Sequence, residues 1–582
     1  MDNKNKITSE FGNEESVLKK KDNKKDYIQA IVIIGLSLFF VFAVMVSIQS
    51  VMGKETFSIT TNTAEQYYYA GKYDNAIAEY IKMQEKEDWP IYKVKAAEIY
   101  SLNGKFNESN NLLKEAMILK DKLVAEDEEK YLEKDKELVN EVIFTFFMNG
   151  ENDQALSLGE YYLEVYNDYK PLLKTMFTVY MANNKNTYAK EIVEAYPVDR
   201  DSAYDLSILA EMQFILGNVN EGINTLKEAY YNDANEIKVS DVIEQAVIFD
   251  KNDLLSELEF LNEKNPEEAL NMFIAKIYSM DEETKEIANE ILNDSLNKVN
   301  NINCDLIKIS IDISENNKSK LKKLVKELSE TEDDSYIASY LTAIDYYNDG
   351  DYNKAFEKAN ESIVENRNYP NSYGILIPNI MNALGTLDNV DAYIRTALEK
   401  EPFNYYIMLK SGDYYADVVA NYTKAEEYYN LAKPFVSKTD EIYYKLAMLD
   451  VHQEKFEDAI VDLEEAINVN SENENYYRAL GTIYFNENDN EKALEFIRKA
   501  FMVNENDVLT LNNAACYYMI VEEDVWRAYA NIESAYDDMP KELDEKTKAT
   551  IIDNYNKIKK VYDVVANDSG AVITVPTLEL VY

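Results

Sequence analysis

One histidine, His452, and two cysteines, Cys304 and Cys516, are all that 582 residues offer for imidazole or thiol chemistry. A triad or a Cys-His pair would have to use His452, and one imidazole cannot build a histidine metal site. The cysteines stand about two hundred residues apart and are read as buried free thiols. Carboxylates number 107, so pairs at helical spacing arise by chance on every exposed face and carry no acid–base signal. No phosphate loop, dinucleotide fingerprint, nucleophile elbow or HExxH sequence occurs in a context that would support it. Acidic runs such as Glu487-Asn488-Asp489-Asn490-Glu491 lack the glycine and closing glutamate of a calcium loop and suit a solvated turn. These residues make no case for an enzyme, a cofactor or a metal. The net charge of −47, with no basic stripe, argues against nucleic acid, whose recognition needs cations to neutralise phosphates. What remains is recognition chemistry. The 47 tyrosines, apolar in body and polar at the tip, either line a binding face or fill a core.

The elements that would position such residues follow from spacing. Six times a small residue precedes another by seven positions: Ala355/Ser362, Val390/Ala397, Ala425/Ala432, Ala459/Ala466, Ala493/Ala500 and Ala528/Ala535. The pairs recur every 34 or 35 residues. Twelve or thirteen residues upstream of the first members lie Ala343, Gly412, Ala447, Gly481 and Ala515, with Pro378 the exception. A gap of seven puts both members of a pair on one helix face, and the upstream residue falls on a preceding helix across a short turn. Small side chains there let two helices cross closely, the signature of stacked helix hairpins that bury their apolar faces only against neighbours. Gly and Pro are scarce (15 and 10), and alternating strand patterns are rare.

The pattern resembles the tetratricopeptide repeat. One clean unit spans 440–473, with Tyr443, Leu446, Ala447, Ala459, Leu463 and Ala466; the next spans 474–507, with Tyr477, Leu480, Gly481, Tyr484, Ala493 and Ala500. The match covers about 57–234 and 336–540. Residues 235–335 keep helical periodicity without the small anchors and are read as degenerate repeats or a related helical stretch, and a Lys/Glu-rich insert at 121–135 lengthens one unit. The resemblance implies an all-α, right-handed superhelical α-solenoid of about eleven helix-turn-helix repeats. It also implies a concave groove, lined by the first helix of each unit, that holds extended peptides. Carried over position by position, the groove candidates are Tyr340, Tyr347, Asn379, Asn382, Tyr444, Met448, Arg478, Phe485, Asn512 and Met519. The family's carboxylate clamp of Lys, Asn and Arg is not reproduced, because Arg478 is the lone cation among these positions.

Two segments fall outside the repeats. Residues 28–48 are almost continuously apolar, and about 20 such residues span a bilayer as a helix. Seven lysines precede them (Lys4, Lys6, Lys19, Lys20, Lys21, Lys24 and Lys25), and only Lys54 and Lys72 follow in the next two dozen residues. The asymmetry keeps 1–27 in the cytoplasm, makes 28–50 an uncleaved signal anchor, and places the repeats outside the cell membrane. After Asn567-Asp568-Ser569-Gly570 the sequence turns β-prone, and this 567–582 tail lies across the last repeat as a cap, donates a strand to a partner, or stays disordered. The organisation expected is therefore a cytoplasmic segment (1–27), one transmembrane helix (28–50), an N-terminal array (51–234), degenerate repeats (235–335), a C-terminal array (336–566) and the tail. The expected function is a non-catalytic, membrane-anchored scaffold for protein or peptide partners, including partners with basic segments. The alternative is an accessory or regulatory subunit of a membrane-bound enzyme or secretion system, such as cell-wall assembly.

Overall fold

Most hairpins close with the same local chemistry. One residue in the turn between the two helices takes a left-handed backbone: Gly71, Gly104, Gly150, Asn184, Gly217, Gly350, Gly385, Ala420, Glu454, Asn488 and Glu523. Gly350, at φ +79°, has the conformation that a side chain makes costly and glycine does not. Acidic or amide residues then start many helices. Asp351, Asn404, Asp489, Asp507 and Asp524 each accept the N–H of the third residue onward in their side chains.

The computed structural model describes residues 59–311, 317–329, 335–387, 389–541, 543–568 and 571–582. The expected cytoplasmic segment and the expected transmembrane helix at 28–50 lie outside the described residues. Among the described residues no helix is long and apolar enough to cross a membrane. They form 28 helices and no strand. If Lys238–Lys264, which breaks at Asp250 (φ −160°, ψ 96°), is counted as two helices, fourteen hairpins stack in chain order. A single helix, Glu545–Asn567, closes the series.

Eleven hairpins share the left-handed turn, and three more lie between 238 and 329, where the small-residue anchors fade. One of these three bends at Asp250 without a gap, and another joins its helices through a 3-10 turn at Glu282–Thr284. The Lys/Glu-rich insert is absorbed as extra turns on Phe106–Glu126 and Glu128–Met148, each 21 residues long. The twelve paired small residues are all buried at 1 % exposure or less, which is where the periodic spacing placed them. A Cβ added at Gly412 would stand 2.3 Å from the Tyr429 ring, so the helices there meet at a distance only glycine permits.

The long-range organisation was not visible in the periodicity. The first helices between residues 63 and 250 share a face, and the chain covers that face with its own 367–438 region. Helix Val390–Lys400 lies in this seam, with 392–398 buried throughout. Tyr69 and Thr396 hydroxyls meet at 3.1 Å, Asn389 donates to the Tyr69 carbonyl at 2.7 Å, and Arg395 donates to Ser101 at 3.1 Å. Phe177 packs edge-on against Phe403 at 5.4 Å. Further along, Tyr369 donates to Asp241 at 2.8 Å and Tyr405 donates to the Gln245 carbonyl.

Charges are buried with the seam. Lys238 lies 2.7 Å from both Glu211 and Glu401, all three being at most 2 % exposed. Lys95 lies 3.0 Å from Glu141, 3.7 Å from Glu98 and 4.0 Å from Glu399. Burial lifts the Glu141 carboxyl to about 7 despite Lys95, and burial likewise lifts Asp241 to about 7.

Candidate functional site: a groove that holds an extended segment

Helix Val508–Ile520 is buried on nearly every side because it packs against four other helices. Its N-cap Asp507 accepts the Thr510 N–H at 2.8 Å and also pairs with Arg478 of the preceding hairpin. The small residues Gly481 and Ala515 bring Glu474–Asn486 and Val508–Ile520 close to their partner helices. The third face of Val508–Ile520, together with Glu474–Asn486 and the closing helix Glu545–Asn567, forms a groove.

Residues 571–582 lie extended in that groove and run back along the solenoid from the closing helix. Val572, Thr574, Thr577 and Glu579 are exposed. Ile573, Val575, Leu578 and Leu580 join a buried cluster with Leu511, Met519 and Ile551, while Tyr582 packs on a second cluster that includes Ala447, Tyr476 and Leu480.

Two asparagines grip the main chain. Asn554 donates to the Glu579 carbonyl at 2.7 Å and accepts the Glu579 N–H at 3.2 Å. Asn513 donates to the Val581 carbonyl at 2.6 Å and accepts the Val581 N–H at 2.8 Å. In an extended chain, residues two apart point their N–H and C=O groups to the same side, so two carboxamides at this spacing read one edge of a strand. The amides also hold one another: Asn554 donates to Asn512 at 2.9 Å, Asn512 to Asn513 at 3.1 Å, and Asn513 to the Thr482 hydroxyl at 2.9 Å. Lys557 donates to the Thr577 carbonyl at 2.9 Å and Asn486 to the Tyr582 hydroxyl at 2.9 Å. The Cys516 thiol, 3.6 Å from the Glu579 carbonyl, is pushed well up by burial and is no nucleophile. Cys304 is likewise free and buried, its thiol pushed up to about 11 by burial. The arrangement holds peptide backbone and offers no group poised to react with it.

The ten residues chosen from sequence are spread over several places. Asn512 lies in the amide network, and Met519 lies in the buried cluster that takes Leu578. Tyr444 and Met448 line a cavity of 440 Å³ with His452 and Tyr476. Asn379 and Asn382 line an adjoining cavity of 350 Å³; Asp413 and Asp417 border both. Arg478 is not an open cation: it is buried at 3 % exposure and neutralised by Asp507. Phe485 packs toward Ala514 and Tyr517 in the inter-helix core. Tyr340 sits edge-on to Tyr369 at 5.3 Å in the seam, and Tyr347 packs on Tyr352 at a hairpin turn. The residues that hold the segment most directly, Thr482, Asn513, Asn554 and Lys557, were missed. Asn513 had a signal, since an amide next to Asn512 on a helix with no other polar purpose needs a partner.

The fold and the groove define a helical-repeat protein. Residues 444–502 match the tetratricopeptide repeat model. No curated protein is detectably related to it by sequence. Among solved structures, that of Naa15/Naa10 bound to HypK-THB aligns at 11 % identity over 88 % of this chain and 96 % of that one, with a TM-score of 0.37. The Cut9-Hcn1 hetero-tetramer of APC/C aligns at 14 % identity over 85 % and 95 %, TM-score 0.35. Yeast Tom70 aligns at 14 % identity over 87 % and 96 %, TM-score 0.33.

Proposed function

We propose that the chain is a non-catalytic scaffold that holds a partner protein through an extended peptide in the groove of its C-terminal array. One observation carries this reading: the groove already contains an extended chain whose N–H and C=O groups are paired with Asn513 and Asn554. Backbone pairing supplies affinity without demanding one sequence, and the apolar floor selects alternating apolar residues. The lysine asymmetry around 28–50 supports a membrane anchor with a cytoplasmic N-terminus and extracellular repeats. A net charge of −47 favours partners with basic segments flanking the bound stretch, through faster association at low salt. Co-purification from detergent-solubilised membranes tests the reading. An Asn513→Ala/Asn554→Ala chain that melts like the parent should lose at least one partner, and unchanged recovery of every partner would refute it. Protease added to wall-stripped cells should remove the repeats, and their full protection until lysis would refute the orientation.

A further inference from the structure

Resting on that reading, we propose that residues 571–582 are a built-in competitor for the groove, which opens to a partner peptide only when this segment leaves. The ligand class follows from the occupant: an extended peptide with apolar side chains, one of them aromatic, at alternate positions, its main chain free to donate and accept at every second residue.

Three observations carry the inference. First, the segment completes no hairpin. The hairpin of Val508–Ile520 and Val525–Asp537 is already covered by Glu545–Asn567, and the segment adds no helix and no strand. Second, its hold comes mainly from main-chain pairs and a few inward side chains, while Val572 stands 98 % exposed. Such contacts belong to any extended peptide of that pattern. Third, the same face continues past the segment. Tyr582 packs on the same buried cluster, with Ala447, Tyr476 and Leu480, that Tyr444 and Met448 also flank, and these two with Tyr476 line the 440 Å³ cavity, so an incoming peptide that reaches the cavity gains surface that residues 571–582 do not line.

The segment's advantage is its tether. A short linker gives it an effective concentration of order mM, so it outcompetes a free peptide of equal intrinsic affinity until that peptide reaches comparable concentration or makes extra contacts. Releasing it exposes Asn513 and Asn554 to water, and the incoming backbone restores the same bonds.

The test uses the full chain in detergent, a chain ending at residue 570, and a fluorescein-labelled peptide with the sequence of residues 571–582. The shortened chain should bind one peptide, and the full chain should bind it at least about tenfold more weakly. N-methylation at the Val581 position, which removes the N–H given to Asn513, should weaken binding to the shortened chain about tenfold or more. Equal affinity for the two chains overturns the competitor and leaves the groove reading standing. A shortened chain that melts normally yet binds no peptide overturns both. If shortening unfolds the last hairpin, hydrogen exchange on the unaltered chain decides. Release requires the Glu579 and Val581 amides to exchange at least about tenfold faster than those of 512–516. Exchange only together with those helix amides makes the segment a fixed part of the fold and overturns the proposal.

Discussion

Lys238→Met tests whether the seam is held by its buried charges. The substitution keeps the aliphatic stem and removes the ammonium that lies 2.7 Å from Glu211 and 2.7 Å from Glu401. One oxygen of each carboxylate, Glu211 Oε1 and Glu401 Oε2, already lacks a hydrogen-bond partner. Burial, and then the neighbouring Glu401, raise the Glu211 carboxyl well above the usual range. Without the cation the two carboxylates repel at a separation of at most twice 2.7 Å, about 3 kcal/mol at an effective dielectric of ~20, or one of them must take up a proton. Removing one partner of a buried ion pair costs about 3–5 kcal/mol in general. We expect a loss in that range at pH 8, falling to about 1–2 kcal/mol at pH 5.5, where a proton is taken up at little cost. The readout is hydrogen exchange of helix Val390–Lys400, whose local opening should become roughly a hundredfold or more easier at pH 8. Adding Glu401→Gln should restore much of the loss. A loss below about 1 kcal/mol, or one equal at both pH values, would refute the electrostatic account of the seam.

Ala493→Leu puts a large side chain into a fully buried helix crossing, and a soluble 59–582 fragment should lose about 1–3 kcal/mol, read as a lower melting temperature. Glu454 sits at φ +59°, so Glu454→Gly should raise the melting temperature by relieving about 1 kcal/mol of left-handed strain. Glu141 and Asp241, both lifted to about 7, are acids whose folded values exceed their unfolded ones. Their stabilisation is complete below the unfolded values and lost as pH rises through about 7, so the melting temperature should rise between pH 8 and pH 6. Glu141→Gln/Asp241→Asn should flatten that rise.

The hairpins were legible because a helix crossing admits only small side chains. Ala459, Ala466, Ala493 and Ala500 therefore mark the repeat directly in the sequence. Where crossings use other means, as at the Asp250 bend, the helices were legible but the hairpin boundaries were not, and the stretch read only as degenerate repeats. The seam was also invisible. Asp391, Arg395 and Thr396 make Val390–Lys400 look like an ordinary half-exposed second helix, and Arg395 and Thr396 find their partners Ser101 and Tyr69 about 300 residues away. At the groove, Asn512 was legible as an inward polar residue on a first helix. Arg478, the lone cation among the groove candidates, is buried because Asp507, 29 residues on, takes its charge across a hairpin boundary, a pairing that the spacing does not reveal. Asn554 lies beyond the last repeat, where no periodicity assigns a face. The tail's β-prone character was readable, and residues 571–582 lie extended across the last repeats, the first of the three courses expected for them.

The central claim is that two carboxamides hold a strand of peptide by its backbone. Titration of the chain ending at residue 570 with the 571–582 peptide tests it directly, repeated after Asn513→Ala and after Asn554→Ala. The account predicts a one-to-one complex whose affinity falls about tenfold with each substitution, the loss of roughly 1.4 kcal/mol expected for a bidentate backbone pair. It also predicts that replacing the exposed Glu579 of the peptide by Ala changes little. A complex whose affinity is indifferent to both asparagines, or no complex with a correctly folded chain, would contradict it.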